Sequence, residues 1–336
     1  MPHISLLAAP NCSVSTIAGP VDTFAIANIG HQHLESKKDH TNVIKSLFEW
    51  DIVTVDGNPV QGGGGMMVHP DCAVEDVIST DIVLIPGFIP PFDFVGRLDP
   101  KICKWLKARY ADSVIIATTC TGAFLLAETG LLDGKTATTN WMFADYFKKL
   151  YPAVSLSPNQ MLTVNQNLIC SGATTAFVDL CLYLIENFGS QKLAAFCSKA
   201  LLMESRRSTQ SPYFIFHSQK DHADAQIIEV QNYMENQFTK PISIEKLAID
   251  FGFSPRHFKR RFKKATGNTP LTYLQRLRVE EARHKLETTI ATFNEITWQV
   301  GYENVNSFRK LFKKHTGLTP KEYQDRFNRI KDRKRR

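Results

Sequence analysis

Residues 1–205 alternate short apolar, β-branched runs with stretches of helical periodicity. Ile4-Ser5-Leu6-Leu7-Ala8, the run from Phe48 to Val55, Ile82-Val83-Leu84-Ile85 and Val114-Ile115-Ile116-Ala117 predict strands. Apart from Glu49 and Asp51 in the second run, charged residues do not interrupt them, as expected of strands covered on both faces. Helical spacing recurs near residues 21–28, 100–111, 121–128, 141–150 and 174–187. This alternation predicts an α/β doubly wound, mostly parallel sheet. In such sheets a ligand site forms at the carboxyl ends of the strands.

Beyond residue 220 the strand period disappears and an internal repeat takes over. Gly252-Phe253-Ser254, Phe258, Phe262-Lys263-Lys264, Thr266-Gly267, Thr269-Pro270 and Tyr273 return as Gly301-Tyr302-Glu303, Phe308, Phe312-Lys313-Lys314, Thr316-Gly317, Thr319-Pro320 and Tyr323. The offset is 49 residues at the glycines and 50 from Phe258 onward, so the second copy has one extra residue. Each copy reads as helix, tight turn, helix. Ile244, Leu247, Ala248 and Phe251 line the first helix, and Gly252 supplies a turn residue tolerant of positive φ. Ser254 is placed to cap the next helix, with Pro255 at its first position.

At 100° per residue, Phe258, Phe262 and Ala265 fall on one face of that second helix. Arg256, Arg260, Lys263 and Lys264 fall on the other, flanked by His257 and Lys259. In the second copy Phe308, Leu311, Phe312 and His315 point inward. Asn306, Lys310, Lys313 and Lys314 point outward, flanked by Ser307 and Arg309. This is the design of a helix-turn-helix, whose second helix enters the major groove. Arginine pairs with guanine and asparagine with adenine near the helix start, while later lysines neutralise phosphates. An all-α double helix-turn-helix domain is therefore expected.

Charge sharpens the division. Residues 1–220 hold 16 Lys+Arg against 19 Asp+Glu, whereas residues 221–336 hold 24 against 14. Cation release from phosphates drives binding by so basic a block. The polar stretch from Ser205 to Asp221 marks the join: residues 1–205 form one domain, 206–220 a linker and 221–336 the DNA-binding domain. All seven cysteines lie in the first part, odd in number and without C-x-x-C spacing, so neither a zinc knuckle nor a disulfide framework is expected. No apolar run approaches a membrane span and no basic segment precedes an apolar one at the N-terminus, which points to a cytoplasmic protein.

The basic half resembles the AraC family of transcription factors over about residues 225–327. The resemblance rests on Ile244-x-x-Leu247-Ala248 leading to Gly252-Phe253-Ser254, on Gly267-x-x-Pro270-x-x-Tyr273 and on Arg276-Leu277. In the second module it rests on Ile296-x-x-x-Val300-Gly301-Tyr302, Ser307-Phe308-x-x-x-Phe312-Lys313 and Gly317-x-x-Pro320-x-x-Tyr323. It implies two modules joined by a helix from about Pro270 to Glu287. It also implies double-stranded DNA and RNA polymerase as partners, and a homodimer formed through the N-terminal domain.

In the first half, Ala117-Thr118-Thr119-Cys120-Thr121-Gly122-Ala123 takes a buried strand straight into a helix with a cysteine at the join. That is the pattern of a nucleophile elbow, where helix-end amides can hold an oxyanion. The half resembles the ThiJ/PfpI family, with its class I glutamine-amidotransferase-like fold, and in particular such domains fused to AraC modules. The matching residues are Ala18-Gly19-Pro20-Val21-Asp22 with Phe24, Ile85-Pro86-Gly87, Cys120-Thr121-Gly122-Ala123, Ala137-Thr138-Thr139-Asn140-Trp141, Ser171-Gly172-Ala173 and Asp179. The resemblance implies a ligand pocket lined by Asp22, Gly87, Cys120, Thr121, Asn140 and Trp141.

Two departures bear on chemistry. Hydrolytic members often carry histidine after the cysteine, where this chain has Thr121, and the fused regulators commonly read Thr-Thr-His-Trp, where it has Asn140. Neither side chain can act as a base at neutral pH, so Cys120 is expected to be a vestigial nucleophile in an idle enzyme scaffold. The expected function is a ligand-responsive transcription factor, an activator sensing a small nitrogen-containing metabolite, with no cofactor and no metal. The alternative is an active cysteine hydrolase or deglycase with a DNA-binding tail. Gln61-Gly62-Gly63-Gly64-Gly65 lacks a Gly-Lys-Ser/Thr ending and reads as a hairpin connection rather than a phosphate loop. His31, His33 and His40 read as part of a polar stretch, and Arg333-Lys334-Arg335-Arg336 as a basic tail equally suited to phosphate contact or fraying.

Overall fold

The structure, a computed structural model, describes residues 1–36, 45–203 and 207–328. His40 and the tail Arg333–Arg336 lie outside the described residues. The chain divides into two compact units, Met1–Gln210 and Ser211–Arg336.

The first unit contains strands β1 (His3–Leu7), β2 (Glu49–Thr54), β3 (Val60–Gln61), β4 (Met67–Val68), β5 (Cys72–Ala73), β6 (Ile82–Ile85), β7 (Ile115–Thr119), β8 (Thr136–Ala137), β9 (Ser155–Leu156), β10 (Leu162–Asn165) and β11 (Leu168–Ser171). Seven of them form one sheet in the order β10-β11-β7-β6-β1-β2-β5. Every pairing in it is parallel except the edge hairpin β10–β11. All residues of β6 and β11 are buried, and since side chains alternate in direction, both faces of the sheet are covered. The covering helices are α1 (Ser15–Ser36), α2 (Pro100–Ala111), α3 (Gly122–Glu128), α4 (Ala144–Leu150), α5 (Phe177–Phe188) and α6 (Gln191–Ala200).

Three expectations were too simple. The helix expected over 21–28 is the middle of the much longer α1, which tolerates Pro20 in its second turn. The helix expected from Trp141 opens as a 3₁₀ turn, Trp141–Phe143, before α4 begins. The one expected from Thr174 opens in the same way, with Thr174–Ala176 preceding α5. The glycine run does form a hairpin connection, between the antiparallel β3 and β4.

The second unit is helical: α7 (Ala225–Gln237), α8 (Ile244–Asp250), α9 (Pro255–Thr266), α10 (Pro270–Thr288), α11 (Phe293–Gln299), α12 (Val305–Thr316) and α13 (Pro320–Phe327). It has two cores. Met234, Leu247, Phe258, Phe262 and Tyr273 anchor the first; Leu286, Ile296, Phe308, Phe312 and Tyr323 anchor the second. Helix α10 contributes Tyr273 and Leu274 to the first core and Val279, Ala282 and Leu286 to the second. Burying each large side chain is worth roughly 1.5–3 kcal/mol, so a helix shared between cores ties them together.

The connection expected over 206–220 is divided between the units. Residues 207–210 pack into the first. Residues from Ser211 on belong to the second, where Arg283 donates to the carbonyls of Pro212 (2.7 Å) and Phe214, and Phe216 packs edge-on against Tyr273. A polar, proline-ended composition predicts a linker, and a buried arginine fastens its second half to the helical unit.

Candidate nucleic-acid interface and cysteine site

The second helix of each module is built by the same devices. Both end at a left-handed glycine, Gly267 (φ 71°) and Gly317 (φ 73°), and the next helices begin at Thr269-Pro270 and Thr319-Pro320 with the threonine as cap. The preceding turns use Gly252 and Gly301, at φ 74° and 81°. Phe258 and Phe262 in α9, and Phe308 and Phe312 in α12, are fully buried. That fixes which face each helix turns outward. Arg256, His257, Lys259, Arg260, Lys263 and Lys264 are all exposed on α9; Asn306, Ser307, Arg309, Lys310, Lys313 and Lys314 are all exposed on α12.

Details differ from expectation. Ser254 occupies the cap position of α9 but its side chain makes no capping bond, whereas Asn304 at the equivalent position of α12 accepts from Ser307 N at 2.8 Å. Lys259 is engaged by Glu245 (3.2 Å), and Arg309 reaches Asn306 Oδ1 at 3.2 Å. Arg261 does not join the outward face: it forks onto Asp224 at 2.7 and 2.8 Å and steadies the start of α7. Periodicity places it on a flank and offers no sign of this partner.

In the first unit Cys120 joins β7 to α3 with φ at 53°, a left-handed conformation rare for a side-chain-bearing residue and the mark of a strained elbow. The turn is tight: a Cβ on Gly122 would stand 2.4 Å from Pro86 O. The Cys120 N–H bonds Ser171 O (2.9 Å), and Thr139 Oγ1 donates to Cys120 O (2.9 Å). Cys120 is 5% exposed. Its side-chain hydrogen-bond partners among the described residues are Asn140 Nδ2 at 3.5 Å and Thr174 Oγ1 at 3.6 Å.

Of the expected pocket residues, Gly87 and Asn140 therefore meet Cys120; a Cβ on Gly87 would lie 3.1 Å from that of Cys120. Thr121 is buried beside Gly87, its hydroxyl donating to Phe88 O (2.7 Å) and accepting from Phe88 N (2.6 Å). Trp141 follows in the 3₁₀ turn that Asn140 caps, and Asp22 is exposed on α1. Thr174 and Thr139 were not singled out by sequence; Thr139 lies within one matched motif and Thr174 directly follows another, which is the only signal they carry.

Among the described residues, two features of the site bear on hydrolysis. Asn140 and Thr174, which contact the thiol, do not titrate near neutrality. His3 begins β1, at the opposite end of the sheet from the elbow. Two amides of the facing loop are engaged: Gly87 N–H donates to Thr16 Oγ1 at 2.9 Å, and Phe88 N–H to Thr121. A cavity of about 400 Å³ opens beside the carboxyl ends of β1 and β6, lined among others by Asn11, Phe88, Asp93, Phe94 and Ile102. None of the six expected pocket residues lines it.

Comparison with known proteins fits this geometry. Residues 41–187 match the model of the DJ-1/PfpI family, and residues 247–326 match a helix-turn-helix domain model. The chain joins a DJ-1/PfpI domain to an AraC-type helix-turn-helix domain. Over 90% of this chain and 86% of the relative, it is 26% identical to the HTH-type transcriptional regulator CdhR of Pseudomonas aeruginosa. It is 24% identical to the HTH-type transcriptional regulator GbdR of that species, over 91% of this chain and 80% of the relative. Isonitrile hydratase of Pseudomonas putida matches the DJ-1/PfpI part at 28% identity, covering 55% of this chain and 71% of that enzyme. In fold, 60% of the chain superposes on 98% of Drosophila melanogaster DJ-1beta, with a TM-score of 0.50 and 17% identity.

Proposed function

We propose that this protein is a sequence-specific DNA-binding transcription factor whose DJ-1/PfpI domain senses a small nitrogen-containing metabolite, and that it activates transcription in the cytoplasm as a homodimer in contact with RNA polymerase. The observation that carries the DNA-binding part is the repeated recognition helix. Twelve polar or basic residues at matching positions are exposed on α9 and α12, while the facing phenylalanines are buried. Similarity to full-length regulators supports it. The sensing part is supported by an elbow that keeps its cysteine while, among the described residues, Asn140 and Thr174 are the side chains bonded to the thiol and the Gly87 and Phe88 amides are engaged elsewhere. The expected pocket residues Asp22, Gly87, Cys120, Thr121, Asn140 and Trp141 are proposed to bind the effector, with Asn140 and Thr174 at its centre.

The test is a metabolite screen by thermal shift on the full chain, followed by gel shifts with and without each hit. A true effector at 100 times its Kd stabilises by about 2.7 kcal/mol. It should change DNA affinity and lose its effect on Asn140→Ala. A set of hits that stabilise the protein yet leave DNA affinity untouched would remove the sensing role.

A second reading, an active cysteine enzyme with a DNA-binding tail, is favoured by the left-handed Cys120 and by the likeness to isonitrile hydratase. Turnover of isonitrile, amide or glycated substrates by the wild type, abolished in Cys120→Ser, would establish it. No turnover, with the effector response intact in Cys120→Ser, is the expected outcome.

A further inference from the structure

The chain leaves the first unit through a segment fastened to the cysteine site from two sides. Arg207 donates its backbone N–H (3.2 Å) and Nε (3.0 Å) to Asp179, and its Nη2 to the same carboxylate (2.5 Å). Its guanidinium also reaches Thr175 Oγ1 (3.2 Å) and Thr175 O (2.7 Å). Asp179 is buried; burial pushes its carboxyl up from the ordinary value while Arg207 pulls the other way. An unpaired charge left there is costly, so this fork holds firmly.

Gln210, the last residue of the unit, is 1% exposed. Its Nε2 lies 3.0 Å from Thr139 O, 2.9 Å from Pro158 O, 3.1 Å from Gln160 O and 3.3 Å from Thr138 Oγ1. A Cβ on Gly172 would stand 2.0 Å from that nitrogen, so the slot exists only because residue 172 is glycine. The residues gripped are immediate neighbours of those touching the thiol. Thr139 precedes Asn140 and itself bonds Cys120 O; Thr175 follows Thr174.

We propose that Arg207 and Gln210 form a coupling clamp. Occupancy of the cysteine site displaces the 139–140 and 174–175 segments, loosens both grips, and so frees the connection that continues at Ser211 into the DNA-binding unit. This rests on the sensing reading of the previous section. Arg207 and Gln210 are positioning residues: they touch no ligand and act through Thr139 and Thr175. Coupling of this kind is reciprocal, so a change at the clamp must be felt at Cys120 and the reverse.

The test uses the full chain and iodoacetamide as probe. Gln210→Glu keeps the size of the side chain but sets a carboxylate against three carbonyl oxygens. It should raise the alkylation rate of Cys120 at least about 5-fold and speed hydrogen exchange over residues 117–124. Carboxamidomethylation of Cys120 should in turn speed exchange over 207–214, with Cys120→Ser as the unmodified control. Ser190→Ala, which removes the side-chain cap of α6, lowers stability elsewhere and should change neither readout. If Gln210→Glu does not fold, Arg207→Lys, which keeps the charge but loses the fork, carries the same expectations. Unchanged Cys120 reactivity and exchange in a folded clamp variant, or equal changes in Ser190→Ala, overturn the clamp. Because neither readout needs an effector or DNA, a failed metabolite screen sinks the sensing reading without deciding this one.

Discussion

The two helix-turn-helix modules share a core, yet their turns and inner faces have been fitted to different neighbours. Tyr273 and Tyr323 are equivalent, and each donates its buried hydroxyl to a glutamate, Glu235 at 2.6 Å and Glu287 at 2.5 Å. The turn of the first module stands in open space: nothing lies within 4 Å of a Cβ built on Gly252. The turn of the second is pressed against the first module. A Cβ on Gly301 would meet Thr239 O at 2.4 Å, and Arg278 spans the contact, bonding Phe238 O (2.7 Å) and Lys240 O (2.9 Å) while its guanidinium lies over Tyr302. The same residue type at the same repeat position thus serves one requirement in the first copy and two in the second.

The largest expected effect separates those requirements. Gly252→Ala meets only the left-handed backbone and should cost about 1–2 kcal/mol. Gly301→Ala meets that and a carbonyl that cannot yield without moving the end of α7, so about 3–4 kcal/mol is expected. Denaturant melts of both variants check the difference. Equal losses would mean that the modules are not held together at Thr239.

The next effect depends on pH. The counterpart of Ala265 in the second module is His315, whose imidazole is held down to about 4, first by burial and then by the charges of Arg276 and Lys314. Its unfolded value is 6.5, so between the two the unfolded chain binds the extra proton. The neutral histidine therefore supports folding fully above pH 6.5. That support is lost as pH falls towards 4, up to about 3 kcal/mol in all. Subtracting the melt of His315→Ala from that of the wild type at pH 7, 5.5 and 4.5 isolates this slope from the carboxylates. A difference that stays constant with pH would place the imidazole in water.

Recognition is where the two copies should differ most in kind. In the full chain, Arg256→Ala or Arg260→Ala should each cost about 1–3 kcal/mol at a specific site and relax specificity there. Lys263→Ala should weaken all sequences alike and flatten the salt slope by about one unit. Asn306→Ala tests whether α12 reads adenine in the same way. Gel shifts at several salt concentrations measure all four. Arginine variants with unchanged affinity and specificity would leave α9 as a phosphate-contacting helix only.

How far each region could be read in advance follows the range of its contacts. The recognition faces were legible because buried Phe258 and Phe262 dictate, through helix geometry alone, where Arg256 and Arg260 point. The elbow was legible for a similar reason, a strand running directly into a helix at Cys120. What surrounds the thiol was not, because Asn140 and Thr174 come from two separate loops, and the direction of Thr121 depends on the carbonyl of Phe88 in a third. Nor could composition reveal that Gln210 fills a slot opened by Gly172 in a distant loop.

The smallest expected effect again sets one copy against the other, at the start of the recognition helices. Ser254 looks like a cap in sequence, but Pro255 follows it and its hydroxyl bonds no amide. Asn304 at the matching position accepts from Ser307 N. Removing a working cap costs about 1 kcal/mol, because one of the unpaired amides of the first turn loses its acceptor. Asn304→Ala should therefore lower stability by about that amount, while Ser254→Ala should change it by only a few tenths. The proline already fixes the first turn of α9, which leaves the serine free to face whatever α9 contacts. If Ser254→Ala is as costly as Asn304→Ala, the hydroxyl caps α9 in solution after all. If it is silent for stability but weakens DNA binding in a gel shift, Ser254 belongs with Arg256 to the surface that α9 presents to the groove.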